Sequence, residues 1–244
     1  MFSKAECFNQ PLKWDMRNVR STNYMFNYAR SFNQPLNWDM RNVRSTKYMF
    51  NHATSFNQPL NWDVSSNLND TSGMFHHATS FNQPLSFEQA NLTDTSAMFS
   101  SAKSFNQVLR LDMSNVDKTD YMFNGAVKFN QALNFEKADL TDTLRMFDSG
   151  YSFNQLSRWN MSDAENADSM FRQAFKVNQS LPWDVGKVQS MNNMFTNARS
   201  FNQPLDWNTI EMQSAAHMFE GANSFNQELN WDVGNLVDAT SMFQ

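Results

Sequence analysis

The dipeptide Met-Phe recurs eleven times in this 244-residue chain, at Met1, Met25, Met49, Met74, Met98, Met122, Met146, Met170, Met194, Met218 and Met242. Every interval is 24 residues except Met49 to Met74, which is 25. A fixed period of about 20–50 residues marks a repeat array in which no single unit buries its own apolar face. Stacking the units gives a nearly one-dimensional core, each coil touching only its neighbours. No linker or low-complexity stretch interrupts the period, so residues 1–244 are expected to form one array of about ten coils. Hydrophobic content of 41% is sufficient for such a core, because the same positions are apolar in every coil.

One coil, Met25 to Tyr48, shows the pattern. Met25, Phe26, Ala29 and Phe32 are spaced by three and four, which predicts a short helical turn. Leu36, Trp38 and Met40 alternate with polar residues and predict a short half-buried strand. Asn33-Gln34-Pro35 between them is a corner, since proline fixes φ and cannot donate to a ladder. A second extended piece follows, beginning at Val43 here and at Leu92, Val116 or Leu140 in other coils. Strands entered in one direction stack in parallel, about 4.8 Å apart. The extra residue of the third coil is expected within Ser65-Ser66-Asn67. The seventh coil lacks the proline and shifts its leucine to Leu156, and the eighth has Val177 for Phe. Irregularity is therefore expected around residues 150–180.

Two polar columns follow from the register. Asn occupies one corner position in all ten coils: Asn9, Asn33, Asn57, Asn82, Asn106, Asn130, Asn154, Asn178, Asn202 and Asn226. A corner leaves backbone N–H and C=O groups to be satisfied, and Asn does so locally, so the column reads as a structural amide ladder. An acid follows the strand aromatic at Asp15, Asp39, Asp63, Glu88, Asp112, Glu136, Asp184 and Asp232, with Asn160 and Asn208 as exceptions. It reads either as turn-capping by carboxylates or as a surface for cations or a basic partner. The variable outward positions beside it are Lys13, Asn37, Asn61, Arg110, Arg158 and Asp206. Together with Asp15, Asp39, Asp63, Asp112, Asp184 and Asp232 they make the candidate binding surface.

The remaining chemistry is sparse. Cys7, the one cysteine, fills a slot that is Ser31, Ser55, Ser80 and Ser104 elsewhere, which excludes internal disulfides and cysteine-based zinc sites. His52 and His77 share a register in adjacent coils, yet no carboxylates stand at fixed offsets from them, so no metal site is expected. Arg17 stacks over Arg41 and Arg20 over Arg44, but the chain is net acidic at −5, and nucleic acid is not favoured as a partner. A threonine column suited to ice contact breaks at Ala167, Met191, Ala215 and Ala239. No nucleophile–base pair or phosphate-cradling glycine loop is present, so the expectation is not an enzyme, with no cofactor. No run approaches the ~18 apolar residues of a membrane span.

Phe56-Asn-Gln-Pro-Leu-Asn-Trp-Asp-Val-Ser65, followed by Met-Phe-x-x-Ala, resembles the bacterial surface-protein and lipoprotein repeat of about 26 residues, grouped with the BspA-like leucine-rich repeats. The resemblance covers the whole chain. The chain departs in its 24-residue length and in carrying Thr46, Thr95 and Thr119 where that family usually has a second methionine. The resemblance implies a leucine-rich-repeat-like, right-handed β-solenoid displayed at the cell surface or outside the cell. There it would act as a recognition or adhesion module for a protein or glycan partner. The alternative is a structural spacer or scaffold subunit in a larger assembly. Neither end carries an atypical capping coil, so the chain reads as a fragment of a longer array whose ends would make end-to-end or assembly contacts.

Overall fold

A computed structural model describes residues 1–155 and 158–244. Successive repeats lie on one another as stacked coils, and the register is held by an unbroken line of parallel bridges. It runs Ser21, Ser45, Asp70, Asp94, Lys118, Asp142, Asn166, Ser190, Ser214, Asp238, one residue per coil. This line falls in the second extended piece. Among the described residues, the Leu-x-Trp segment, expected to be the strand, forms regular strands only in mid-array. β1 (Leu85–Phe87) pairs in parallel with β2 (Leu109–Leu111), and β3 (Asn134–Phe135) with β4 (Arg158–Trp159).

Tryptophan indoles donate to a carbonyl of the preceding coil at several places, whereas the Trp38 indole has no partner and its coil still has no regular strand. The indole N–H of Trp62 donates to Leu36 O at 2.8 Å, Trp207 to Leu181 O at 2.9 Å and Trp231 to Leu205 O at 2.9 Å, each in the preceding coil. Strands appear where Phe87, Leu111 and Phe135 stand in place of tryptophan, and where the Trp159 indole reaches Leu133 O only at 3.4 Å. The side chains alternate regardless: Leu36, Trp38 and Met40 are buried and Asn37 is exposed.

The helical turn expected at Met-Phe-x-x-Ala does not form, and no helix occurs among the described residues. Amide N–H groups there divide between two directions. Tyr24, Phe26 and Tyr28 donate to Lys47, Met49 and Asn51 of the next coil at 2.9, 2.8 and 2.7 Å. Met25, Asn27 and Ala29 donate back three residues, to Thr22, Tyr24 and Phe26, at 3.1, 3.2 and 3.0 Å. Alternation of this kind needs a left-handed residue twice per coil, as at Tyr24 (φ 55°) and Tyr28 (φ 58°), and such a residue ends any helix. Apolar spacing of three and four is shared by a helix and by this chain of tight turns, so periodicity alone does not separate them.

The core is two columns of phenylalanine rings with a tryptophan column beside them. Within a coil Phe26 and Phe32 stack at 4.1 Å, and between coils Phe26 and Phe50 stack at 5.5 Å. Burying a ring of this size is worth roughly 1.5–3 kcal/mol, and both partners must be present for it to be buried. The threonine column is inside as well: Thr22, Thr46, Thr71, Thr95, Thr119 and Thr143 are buried, and it offers no outer surface.

The extra residue of the third coil is absorbed at the turn. Asp39 still bridges Asp63, 24 residues on, whereas the turn closed by Val43 N–H to Met40 O is closed 25 residues later by Leu68 N–H to Ser65 O. The irregularity expected over 150–180 is narrower than that span. The bridges through Asn166 and the Asn154 ladder keep the 24-residue step. The change is in the aromatic packing, where Phe135 meets Trp159 edge-on at 81° and Trp159 closes on Trp183 to 5.1 Å. Leu156 lies outside the described residues.

Candidate functional site

Nine of the ten corner asparagines, Asn9 to Asn202, act in the same way. The Asn33 side-chain carbonyl accepts the backbone N–H of Asn57 at 2.9 Å and the side-chain amide of Gln58 at 3.2 Å. The pattern repeats from Asn9 to Asn33, then through Asn57, Asn82, Asn106, Asn130, Asn154, Asn178 and Asn202 to Asn226. These amides spend their acceptors on the next coil and form a spine beneath the adjoining face.

That face carries the acid column. Asp39 accepts the backbone N–H of Arg41 at 3.1 Å, which is an Asx-turn, and the Arg41 guanidinium folds back onto the same carboxylate at 2.6 Å. Asp15 and Arg17 repeat this arrangement. The arginine side-chain hydrogen bond, backed by the backbone one, pulls both carboxyls down to about 2. Asp112, Asp184 and Asp232 cap Ser114, Gly186 and Gly234, and hydrogen bonding to Ser114 lowers the Asp112 carboxyl. Asn160 and Asn208 make the same cap without charge, to Ser162 and Ile210. In the sixth coil the cap moves back to Asn134, which accepts the Glu136 N–H. At the extra residue Asp63 meets Arg41 at 3.5 Å, and Ser65 takes over the capping of Asn67.

Depressions open along the same segment of successive coils. One of 530 Å³ is lined by Leu60, Asn61, Trp62, Pro84, Leu85 and Arg110 among others, and one of 450 Å³ by Pro182, Trp183, Asp184, Pro204, Asp206 and Trp207. Between them lies a third, of 310 Å³, lined by Ala132, which stands at a corner-proline position, and by the half-buried Leu109, Leu111 and Leu133. Asn61 and Arg110 thus share one hollow and Asp184 and Asp206 another. Lys13 and Asn37 stand exposed on their own coils, and Asp112 lines a smaller hollow with Lys137. Arg158 belongs to β4 by its backbone, and its side chain lies outside the described residues.

Two features escaped sequence reasoning. A second capping column stands in the bridge line, where Asp70, Asp94, Asp142 and Asp238 accept the N–H two residues on. Burial raises the Asp142 carboxyl, whereas the bond from Thr240 lowers that of Asp238. The scatter of Ser, Asp, Asn and Lys at this register hid it. The second feature is His76, whose ring joins His52 and His77. Burial pushes all three imidazoles down, His76 to about 4.

Among the described residues no helix is long and apolar enough to cross a membrane. The family described as Mycoplasma protein of unknown function, DUF285, matches the chain three times, over residues 1–87, 85–182 and 156–244. No curated protein and no solved structure matches it.

Proposed function

The chain belongs to the DUF285 family along its whole length, and from that premise we propose that it is a non-enzymatic recognition module binding a protein or glycan partner along its Pro-Leu-x-Trp-Asp face. The observation carrying this reading is the row of hollows with apolar floors and polar rims, which places Asn61 with Arg110 and Asp184 with Asp206. Sites of this composition orient a ligand by a few polar groups over an apolar contact. The asparagines beneath are committed to the spine, so the outward positions vary without disturbing the coil. Kinship with the BspA-like leucine-rich repeats and display at the cell surface fit this reading, on the strength of the Phe-Asn-Gln-Pro-Leu and Trp-Asp strings.

The test is a glycan array and a cell-binding assay with the parent chain and with the combined variant Asn61→Ala, Arg110→Ala, Asp184→Asn, Asp206→Ala, in which asparagine keeps the cap on Gly186. Saturable binding lost in the variant, at an unchanged melting temperature, supports the face. Binding that survives all four substitutions removes it.

A second reading is a spacer in a larger assembly, which the unbroken parallel stacking of near-identical coils suits. Exclusive recovery in a stoichiometric complex would favour it.

A further inference from the structure

His52 lies on one coil and His76 and His77 on the next, and the ring nitrogens of the three converge to within 4.8 Å of one another. The rings of His52 and His77 stack at 4.3 Å, and His76 stands nearly perpendicular to both, at 86° and 80°. All three are half-buried, so the cluster is reachable from solvent.

One ring is already oriented. His76 Nδ1 lies 2.9 Å from Asn51 Oδ1, and Asn51 Nδ2 donates to Asn27 Oδ1 at 2.7 Å. The second bond fixes which end of the Asn51 amide faces the imidazole, so Nδ1 carries the proton and the lone pair rests on Nε2. Donation of the distal N–H to a carbonyl is how ligating histidines are held and made more basic.

We propose that His52, His76 and His77 bind one divalent late transition-metal ion, represented by Zn²⁺, as a clamp between adjacent coils. Three imidazoles and a water complete a four-coordinate site, and neutral nitrogen donors select such ions over calcium or magnesium. Zn–N distances of about 2.0–2.1 Å require the stacked rings to tilt inward. Arg30 and Lys103 are nearby positive charges, but both are exposed and solvent screens them.

The test is calorimetric titration of the chelator-stripped chain with ZnCl₂, alongside thermal melting. The expected result is one equivalent bound, a rise in melting temperature, and no effect from CaCl₂ at the same concentration. Gln173 holds the His77 register in another coil at φ 59°, and Asn51 and Asn124 hold that of His76. His52→Gln, His77→Gln and His76→Asn are therefore compatible with folding. Each should abolish stoichiometric binding, and Asn51→Ala should weaken it by about 10–100-fold. Absence of saturable Zn²⁺ binding, or binding that persists in the His52→Gln/His77→Gln double variant, overturns the proposal. The second result would point to other donors, such as the His217–Glu220 pair.

Discussion

Asn130 and Asn154 are 24 residues apart, and the side-chain carbonyl of the first accepts the backbone N–H of the second at 2.8 Å. The same oxygen accepts the Gln155 side-chain amide at 3.1 Å. One acceptor thus serves two donors of the next coil, and its loss strands a backbone N–H at a half-buried corner. Asn130→Ala should cost about 1–3 kcal/mol, as for other unsatisfied donors. Urea unfolding of the variant checks this, and a midpoint equal to the parent's would return the column to the pool of ligand-binding candidates.

Asp112 represents the capping acids. Its bond from the Ser114 N–H is 3.0 Å long and exposed to solvent. Replacement by alanine should cost at the lower end of the roughly 0.5–2 kcal/mol seen for lost caps, and Asp112→Asn should retain most of the stability, as Asn160 and Asn208 do in their coils. Asparagine behaving as badly as alanine would make the charge, and not the cap, the important property.

The Asp148 carboxylate is 1% exposed and receives both Nε and Nη2 of Arg172 from the next coil, at 3.1 and 2.6 Å. Removing the arginine leaves a buried charge uncompensated, a change that typically costs about 3–5 kcal/mol. Arg172 is itself about a third exposed (35%), so Arg172→Ala is expected near the lower limit. Adding Asp148→Asn to it should recover part of the loss, and a double variant no more stable than the single would refute the charge-burial account.

Acid should reveal the paired arginines of the first coils. Asp15 and Asp39 have carboxyls held at about 2 when folded, below their usual 3.8. A depressed acid contributes stability that is complete above its unfolded value and is lost as pH falls through the folded one. The contribution should disappear between about pH 4 and pH 2, and it should be small because both pairs face solvent. Melting curves of the parent and of Asp15→Asn/Asp39→Asn should differ at pH 6 and converge by pH 2. Curves that differ equally at both values would exclude the ionic origin.

The period, the inward positions and the corner column were all legible in the chain, because each is a property of one coil written ten times. Phe26, Phe32, Leu36 and Trp38 are inward in the structure as their spacing requires, and Asn9 through Asn226 form the amide column. The family match covers that same repetition. Where backbone N–H groups go was not legible, since it depends on what the neighbouring coil presents. Spacing of three and four at Met25–Phe32 allowed a helix, and bonds from Phe26 and Tyr28 to the next coil made left-handed turns instead.

Gly73 shows the same division. Its coil has glycine where the coil before has Tyr48, and the sequence offers no reason. In the stack the Tyr48 ring lies over Gly73, in the space that a Cβ would occupy. His76 likewise differs in register from His52 and His77, and only the rise from one coil to the next brings the three rings together. What the sequence determined alone was therefore the content and burial pattern of a coil, which short-range spacing sets. Hydrogen-bond partners, the location of regular strands and the histidine cluster were decided by tertiary structure, because each joins atoms about 24 residues apart that only stacking makes neighbours.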